Sequence, residues 1–276
     1  MSDCKVIALC NQKGGVGKTT TCVNLGIGLA QHGKRVLLID LDAQASMTLS
    51  LGYKTPDELT ETVAEVMQMV IEDKPVPEGY GILRHPEGVD LLPSNIVLAN
   101  IEVRLFNTLS RETVLKNYLQ NVKQNYDYIL IDCMPSLGML TANALTAANN
   151  VIIPAQPHYL SAKGLEMLLH SISSIQKHVN PNLKISGILL TMVDRRTNFT
   201  KDIIEILRKG YSSTIRVFNT EIPLSIKAIE TTAEGKSIYE HDRSGKVSTA
   251  YENFTKEVIV DGNEQERRKG RSETVR

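Results

Sequence analysis

No tryptophan occurs in this chain, and aromatic residues make up only 5% of its 276 positions. A core built from it must be aliphatic, drawn from a hydrophobic content of 42%, which is enough for one large domain or two small ones. Cysteine is scarce as well. Cys4, Cys10, Cys22 and Cys133 include no closely spaced pair of the kind a zinc site needs. No run of about 18 apolar residues is available to span a bilayer, and the apolar stretch in "MSDCKVIALC" is too short for a signal peptide. Net charge is missing too, since 31 Lys+Arg balance 31 Asp+Glu. The chain is therefore not a polycation, and any nucleic-acid site must be a local patch. Together these absences point to a reducing cytosol. No internal repeat and no Gly/Ser- or Pro-rich linker divides the sequence, which reads as a single domain over residues 1–260.

What the chain has is alternation. Short apolar runs read as buried strands: "KVIALCN" (Lys5 to Asn11), "KRVLLID" (Lys34 to Asp40), "YDYILID" (Tyr126 to Asp132), "NNVIIPA" and "KISGILLTMV". Longer amphipathic stretches between them read as helices: Thr19–His32, Glu61–Ile71, Ile96–Phe106, Arg111–Gln124, Leu137–Ala148, Gly164–His178 and Thr200–Lys209. Strands separated by helices of this length imply parallel pairing, hence a doubly wound α/β sheet, mainly parallel, with helices on both faces. "GILRHPEGVDLLPSN" reads as a hairpin-like excursion at the sheet edge. "DGNEQERRKGRSETVR", residues 261–276, is polar and aperiodic and reads as a frayed tail.

The stretch "CNQKGGVGKTTTCVNLG" (Cys10 to Gly26) stands between the first strand and the first helix. That is where a phosphate site belongs. Glycines let backbone N–H groups converge on phosphate oxygens, and the helix amino terminus favours the anion. Lys13, Gly14, Gly15, Val16, Gly17, Lys18, Thr19 and Thr20 form the candidate cradle. The loop departs from G-x-x-x-x-G-K-[ST] because Gln12 occupies the first glycine position. Asp40 and Asp42 close the second strand, and Asp132 closes the third, at the carboxyl ends where open parallel sheets place ligands. Acids this close to a triphosphate repel it unless a cation intervenes, which argues for Mg²⁺. Cys133 reads as core packing, and His158 and His170 as packing or surface residues.

The loop "KGGVGKTT" resembles the deviant-Walker ATPases of the ParA/MinD family, whose loop reads K-G-G-x-G-K-[ST]. The resemblance extends over about the first 255 residues, through "LLIDLDAQ", "YDYILIDCMPSLG", "VIIPAQPHYLSAKGL" and "LLTMVDRRTNFTKDI", and it is strongest to ParA proteins of the Soj type. It implies an Mg²⁺-dependent ATPase that forms a sandwich dimer around ATP. In that arrangement Lys18 is the ordinary phosphate lysine, and Lys13 the lysine that crosses to the partner's nucleotide. Asp42 orients the attacking water, with Asp40 in the same switch near the metal's water shell. Thr19 ligates the metal directly and Asp132 through water. Pro223, in "TEIPLS" where the family reads "IPRN", is the candidate base contact, although Leu224 and Ser225 depart from that pattern.

Basic residues gather late in the chain, and the resemblance makes Arg195, Arg196, Lys227 and Arg243 candidate contacts to nonspecific double-stranded DNA. The implied role is slow, partner-stimulated hydrolysis driving chromosome or plasmid partition with a ParB-like protein, in the cytoplasm on the nucleoid. The alternative is a MinD-like membrane or cell-division positioning role, or movement of another cargo. The last fifteen residues contain Val275 as their only aliphatic one, so stable membrane association is not expected. The chain begins almost at the first strand, so an amino-terminal helix-turn-helix for operator binding is not expected either.

Overall fold

Alternate residues of the first apolar run face opposite ways, and each face meets its own core. In the computed structural model, which describes residues 4–157, 162–196, 198–211 and 215–273, Val6 and Ala8 of β1 (Lys5–Leu9) pack into one buried cluster. Ile7 and Leu9 pack into the other. A strand buried on both faces reads as a continuous apolar run, and this one belongs to a sheet covered on both sides.

The strands that follow are β2 (Val36–Leu41), β3 (Leu83–Arg84), β4 (Asp90–Leu92), β5 (Tyr128–Cys133), β6 (Asn150–Ala155), β7 (Lys184–Val193) and β8 (Val217–Pro223). They form one sheet in the order β3-β4-β2-β5-β1-β6-β7-β8. Every pairing is parallel except β3 with β4, the edge hairpin expected from the sequence. One face is covered by α3 (Val63–Ile71), α4 (Leu98–Leu105), α5 (Val114–Val122), α6 (Met139–Ala147), α7 (Ala162–His178) and α8 (Asn198–Tyr211). The other carries α1 (Lys18–Gln31), the short α2 (Ser46–Ser50), α10 (Ile238–His241) and α11 (Lys246–Glu273), with α9 (Lys227–Glu234) beside α2. The doubly wound, mainly parallel α/β architecture is the one anticipated.

Three features were not anticipated. β8 buries only Phe218 and Ile222 among polar neighbours, so its apolar signal is weak, and it is held by the backbone of β7. The carboxyl-terminal region forms three helices where none had been read. In α11 the buried residues Val247, Tyr251, Phe254 and Val258 recur at helical spacing along one face. The third is the polar end of the chain. α11 stays helical through Glu273 where a frayed tail was expected from residue 261. That segment lacks proline and is rich in Glu, Gln, Lys and Arg, which have high helix propensity. His158 lies outside the described residues.

Phe254 anchors α11 to the sheet, meeting Phe218 of β8 edge to face with ring centroids 5.0 Å apart. Replacing it with Ala leaves a cavity at a fully buried site and should cost about 3–5 kcal/mol. Urea unfolding should show a large drop in midpoint with little change in slope. A cost below about 1 kcal/mol would mean that α11 is not docked through this pair.

Candidate functional site

β1 lies between β5 and β6, so the turn that leaves it at Cys10 opens at the centre of the sheet's carboxyl edge. Gly15 (φ +70°) and Gly17 (φ +80°) are in the left-handed region, where a side chain is strained. Gly17 is also the N-cap of α1, which starts at Lys18. Val16 is buried beneath the loop. Three tethers from neighbouring strand ends hold the loop in shape. Asn11 Nδ2 donates to the Pro154 carbonyl at 2.8 Å, and Asn11 Oδ1 accepts from the Lys13 N–H at 3.0 Å. Gln156 Nε2 donates to the Gly15 carbonyl at 3.2 Å, and the Thr191 hydroxyl to the Val16 carbonyl at 2.8 Å.

The two lysines take different places. Lys18 is buried within the loop, where its Nζ donates to the Lys13 carbonyl at 3.2 Å. Lys13 is exposed on the outside. Gly14 is exposed with open space where a side chain would stand. Thr20 lies on the first turn of α1, and its carbonyl accepts from Asn24 Nδ2.

Asp40 and Asp132 stand opposite each other on adjacent strands, and both are fully buried. The Thr19 hydroxyl donates to Asp132 Oδ2 at 2.6 Å, while Asp132 Oδ1 is buried with no hydrogen-bond partner. Burial, and then the neighbouring Asp40 charge, push the Asp132 carboxyl up to about 8. Burial likewise raises Asp40 to about 6, against the Thr48 donors that favour its ionised form. Those donors are the N–H and hydroxyl of Thr48, both to Asp40 Oδ2, at 2.9 and 2.8 Å. Asp40 Oδ1 accepts from the Asp42 N–H at 3.3 Å. Asp40 thus ties α2 and the Asp42 turn to the sheet, with its oxygens spent on that anchorage. Asp42 is half-exposed, and its Oδ1 accepts from the Gln44 N–H at 3.0 Å.

An unpartnered buried carboxylate oxygen beside a hydroxyl fits a hard divalent cation. Among the described residues no trio of His, Cys, Asp or Glu converges to hold a metal alone.

Pro223 ends β8 opposite Val193 of β7, at the same edge of the sheet as the loop. Arg195 and Arg196 follow β7, and Lys227 begins α9, so these too lie beyond strand ends. Arg195 forks onto Glu221 at 2.7 Å, Arg196 pairs with Asp194 at 2.5 Å, and Lys227 meets Asp242 at 2.9 Å. Arg243 is exposed without an ion pair among the described residues, and it lines a cleft with Glu87, Glu240 and Glu252. Each of the four cations therefore lies on the surface with acids nearby.

Sequence reasoning missed Asn11, Gln156, Thr191 and Thr48, whose partners are mostly far along the chain and carry no spacing signal. It also missed the partner of Cys133. Cys10 Sγ lies 3.0 Å from Cys133 Sγ across the β1–β5 boundary, both buried and reduced. His170 is exposed on α7.

The raised Asp132 value has a definite sign. Its folded value lies above its ordinary one of 3.8, so the fold favours the protonated form. That contribution is complete below about pH 4 and is lost as pH rises through about 8. Asp132→Asn cannot ionise. In metal- and nucleotide-free protein it should raise the melting temperature more at about pH 9 than at about pH 5. An equal effect at both pH values would show that Asp132 ionises without penalty.

Residues 4–185 match the profile of a family described as an AAA domain. Over 260 residues the chain is 44% identical to the sporulation initiation inhibitor protein Soj of Bacillus subtilis, covering 94% of this chain and 99% of Soj. It is 39% identical over 258 residues to the chromosome partitioning protein ParA of Myxococcus xanthus, covering 92% of this chain and 88% of that protein. Among solved structures it resembles cobyrinic acid a,c-diamide synthase from Mycobacterium smegmatis with bound ATP analog and magnesium. The TM-score is 0.74 and the identity 39%, over 88% of this chain and 98% of that one. With the glycine turn, its two lysines and the facing carboxylates, these likenesses make the chain a member of the ParA/MinD family of P-loop ATPases, most like ParA.

Proposed function

We propose that this protein is a partition ATPase that cycles on ATP and Mg²⁺. In its ATP state two copies pair, bind duplex DNA without sequence preference, and move a chromosome or plasmid with a ParB-like partner. The observation that carries the nucleotide half is the site itself: Lys18 inside a left-handed glycine loop, with Thr19 on Asp132 and one Asp132 oxygen unpartnered. The partition half rests on the Soj and ParA relatives, aligned over nearly the whole chain.

The residues divide the work by position. Lys13, Gly14, Gly15, Val16, Gly17, Lys18, Thr19 and Thr20 hold the phosphates, and Pro223 stands where the base would lie. Thr19 and Asp132 would hold Mg²⁺, which when bound offsets charge on the phosphate oxygens. Lys18 leaves the Lys13 carbonyl to face phosphate. Asp42, half-exposed and held by the Asp40–Thr48 anchor, orients the attacking water. Lys13, on the outside of the loop, reaches the site of a second copy, so full charge compensation requires the pair.

The basic rim supports nonspecific DNA binding despite its acid partners. Surface ion pairs such as those of Arg196 and Lys227 are worth about 0–1 kcal/mol, so phosphates displace the acids at little cost. Arg195 instead sits on Glu221, whose side chain is only 9% exposed and is shared with Arg208. No helix among the described residues is long and apolar enough to cross a membrane, and a cytoplasmic, nucleoid-associated location is part of the proposal.

Asp42→Ala keeps the loop, Thr19 and Asp132 but removes the group that orients water, which should slow hydrolysis on the order of a hundredfold. The variant should stay paired with ATP and hold random duplex DNA longer than wild type, with affinity falling steeply as salt rises. A salt series with ATP, ADP or no nucleotide checks this. Equal DNA binding in all three states defeats the switch. ATP-dependent pelleting with lipid vesicles and no DNA binding would favour the membrane-positioning alternative.

A further inference from the structure

We propose that Asn11 is the positioning residue of Lys13, fixing where that side chain starts so that it can reach the site of a second copy. The inference rests on the reading of Lys13 given above. β1 makes its last ladder contact when the Cys10 N–H donates to the Ile152 carbonyl at 3.2 Å. From there the backbone leaves the sheet, and the Asn11 amide spans the gap. Its NH₂ donates to Pro154, the penultimate residue of β6, and its oxygen accepts from the Lys13 N–H. One carbonyl and one N–H as partners fix the orientation of the amide, because a flipped group would set oxygen against oxygen. The Lys13 peptide is therefore referred directly to the central strands.

The Lys13 carbonyl, in the next peptide unit, accepts from Lys18 Nζ. Phosphate competes for Lys18, so this second hold weakens when the site fills. The Asn11 bond does not involve Lys18, so that competition does not remove its donor or its acceptor. On the other side of Lys13 stand Gly14, with open space around it, and Gly15 at φ +70°. Neither supplies a side chain to steady the lysine from that direction. A flexible four-carbon stem rooted in such a turn reaches a distant site productively only if its root is fixed. Displacement by about 1 Å can cost on the order of a hundredfold in rate.

Asn11 could instead simply finish β1 and keep the loop folded. A double-mutant cycle on the full chain separates the two roles, using Asn11→Ala, Lys13→Gln and the double variant, with Asn11→Ser as the conservative replacement. Turnover, KM and ATP affinity are measured for each. Asn11→Ala should lower kcat by roughly tenfold to a hundredfold while ATP affinity and KM stay within about threefold. In the Lys13→Gln background it should lower kcat no further, since its effect runs through the lysine. Asn11→Ser should recover part of the turnover, because a serine hydroxyl can accept the same N–H two residues on. Equal losses in both backgrounds, or ATP affinity falling in step with kcat, would overturn the proposal and leave Asn11 a structural residue. Wild-type turnover in Lys13→Gln alone would instead sink the reading of Lys13 on which the proposal stands.

Discussion

Two carboxylates, Asp40 and Asp132, lie directly opposite each other near the ends of adjacent strands, and both are fully buried. Buried like charges at that distance resist simultaneous ionisation, and much of the surrounding structure answers this constraint. Thr48 commits its N–H and hydroxyl to Asp40, which stabilises one of the pair and draws α2 onto the sheet. Thr19 commits its hydroxyl to Asp132, and Lys18 favours the charged form of the same group from within the loop. One oxygen of Asp132 is still left without a partner. With its carboxyl raised to about 8, against about 6 for Asp40, Asp132 is the member of the pair whose charge the fold disfavours more. A bound triphosphate would add negative charge at the same point, which the proposed function offsets with two lysines and a metal. Under the proposed function, the lysine outside the loop gives a second copy control over the chemistry.

The parts of this fold that could be read from the sequence are those in which local pattern and tertiary burial agree. β1, β2, β5, β6 and β7 sit inside the sheet with both faces covered, and their unbroken apolar runs say so. The glycine loop was legible because its function demands specific residues at adjacent positions. β8 was not, because an edge strand buries only Phe218 and Ile222 and takes its support from β7. α11 carried a helical stripe in Val247, Tyr251, Phe254 and Val258 that was overlooked beneath its high polarity. The tethers on the loop were out of reach for a different reason. Gln156 and Thr191 lie 141 and 175 residues from the carbonyls they bind, and only the folded strand order brings them together. The Cys10–Cys133 contact arises from the same order, through the pairing of β1 with β5.

The candidate DNA surface shows what a residue list leaves out. Arg195, Arg196 and Lys227 look like a basic patch in sequence, yet each has an acid beside it in the fold. A single copy then presents a weak field, with Arg196 and Lys227 held by partners that phosphate can displace. Pairing two copies would double the number of displaceable cations on one rim. Affinity that depends on counterion release rises steeply with that number. A surface this closely neutralised fits the proposed release from DNA once nucleotide is spent.

The central claim is that each nucleotide site is completed by a lysine from a second copy, and complementation tests it most directly. Lys13→Gln retains its own Asp42, while Asp42→Ala retains Lys13, and each variant alone should be almost inactive. In a one-to-one mixture with ATP and Mg²⁺, random pairing makes half the dimers mixed. Each mixed dimer holds one site with both groups, so hydrolysis should recover to about a quarter of the wild-type rate. A mixture as inactive as its two components would contradict a shared site and confine Lys13 to its own loop.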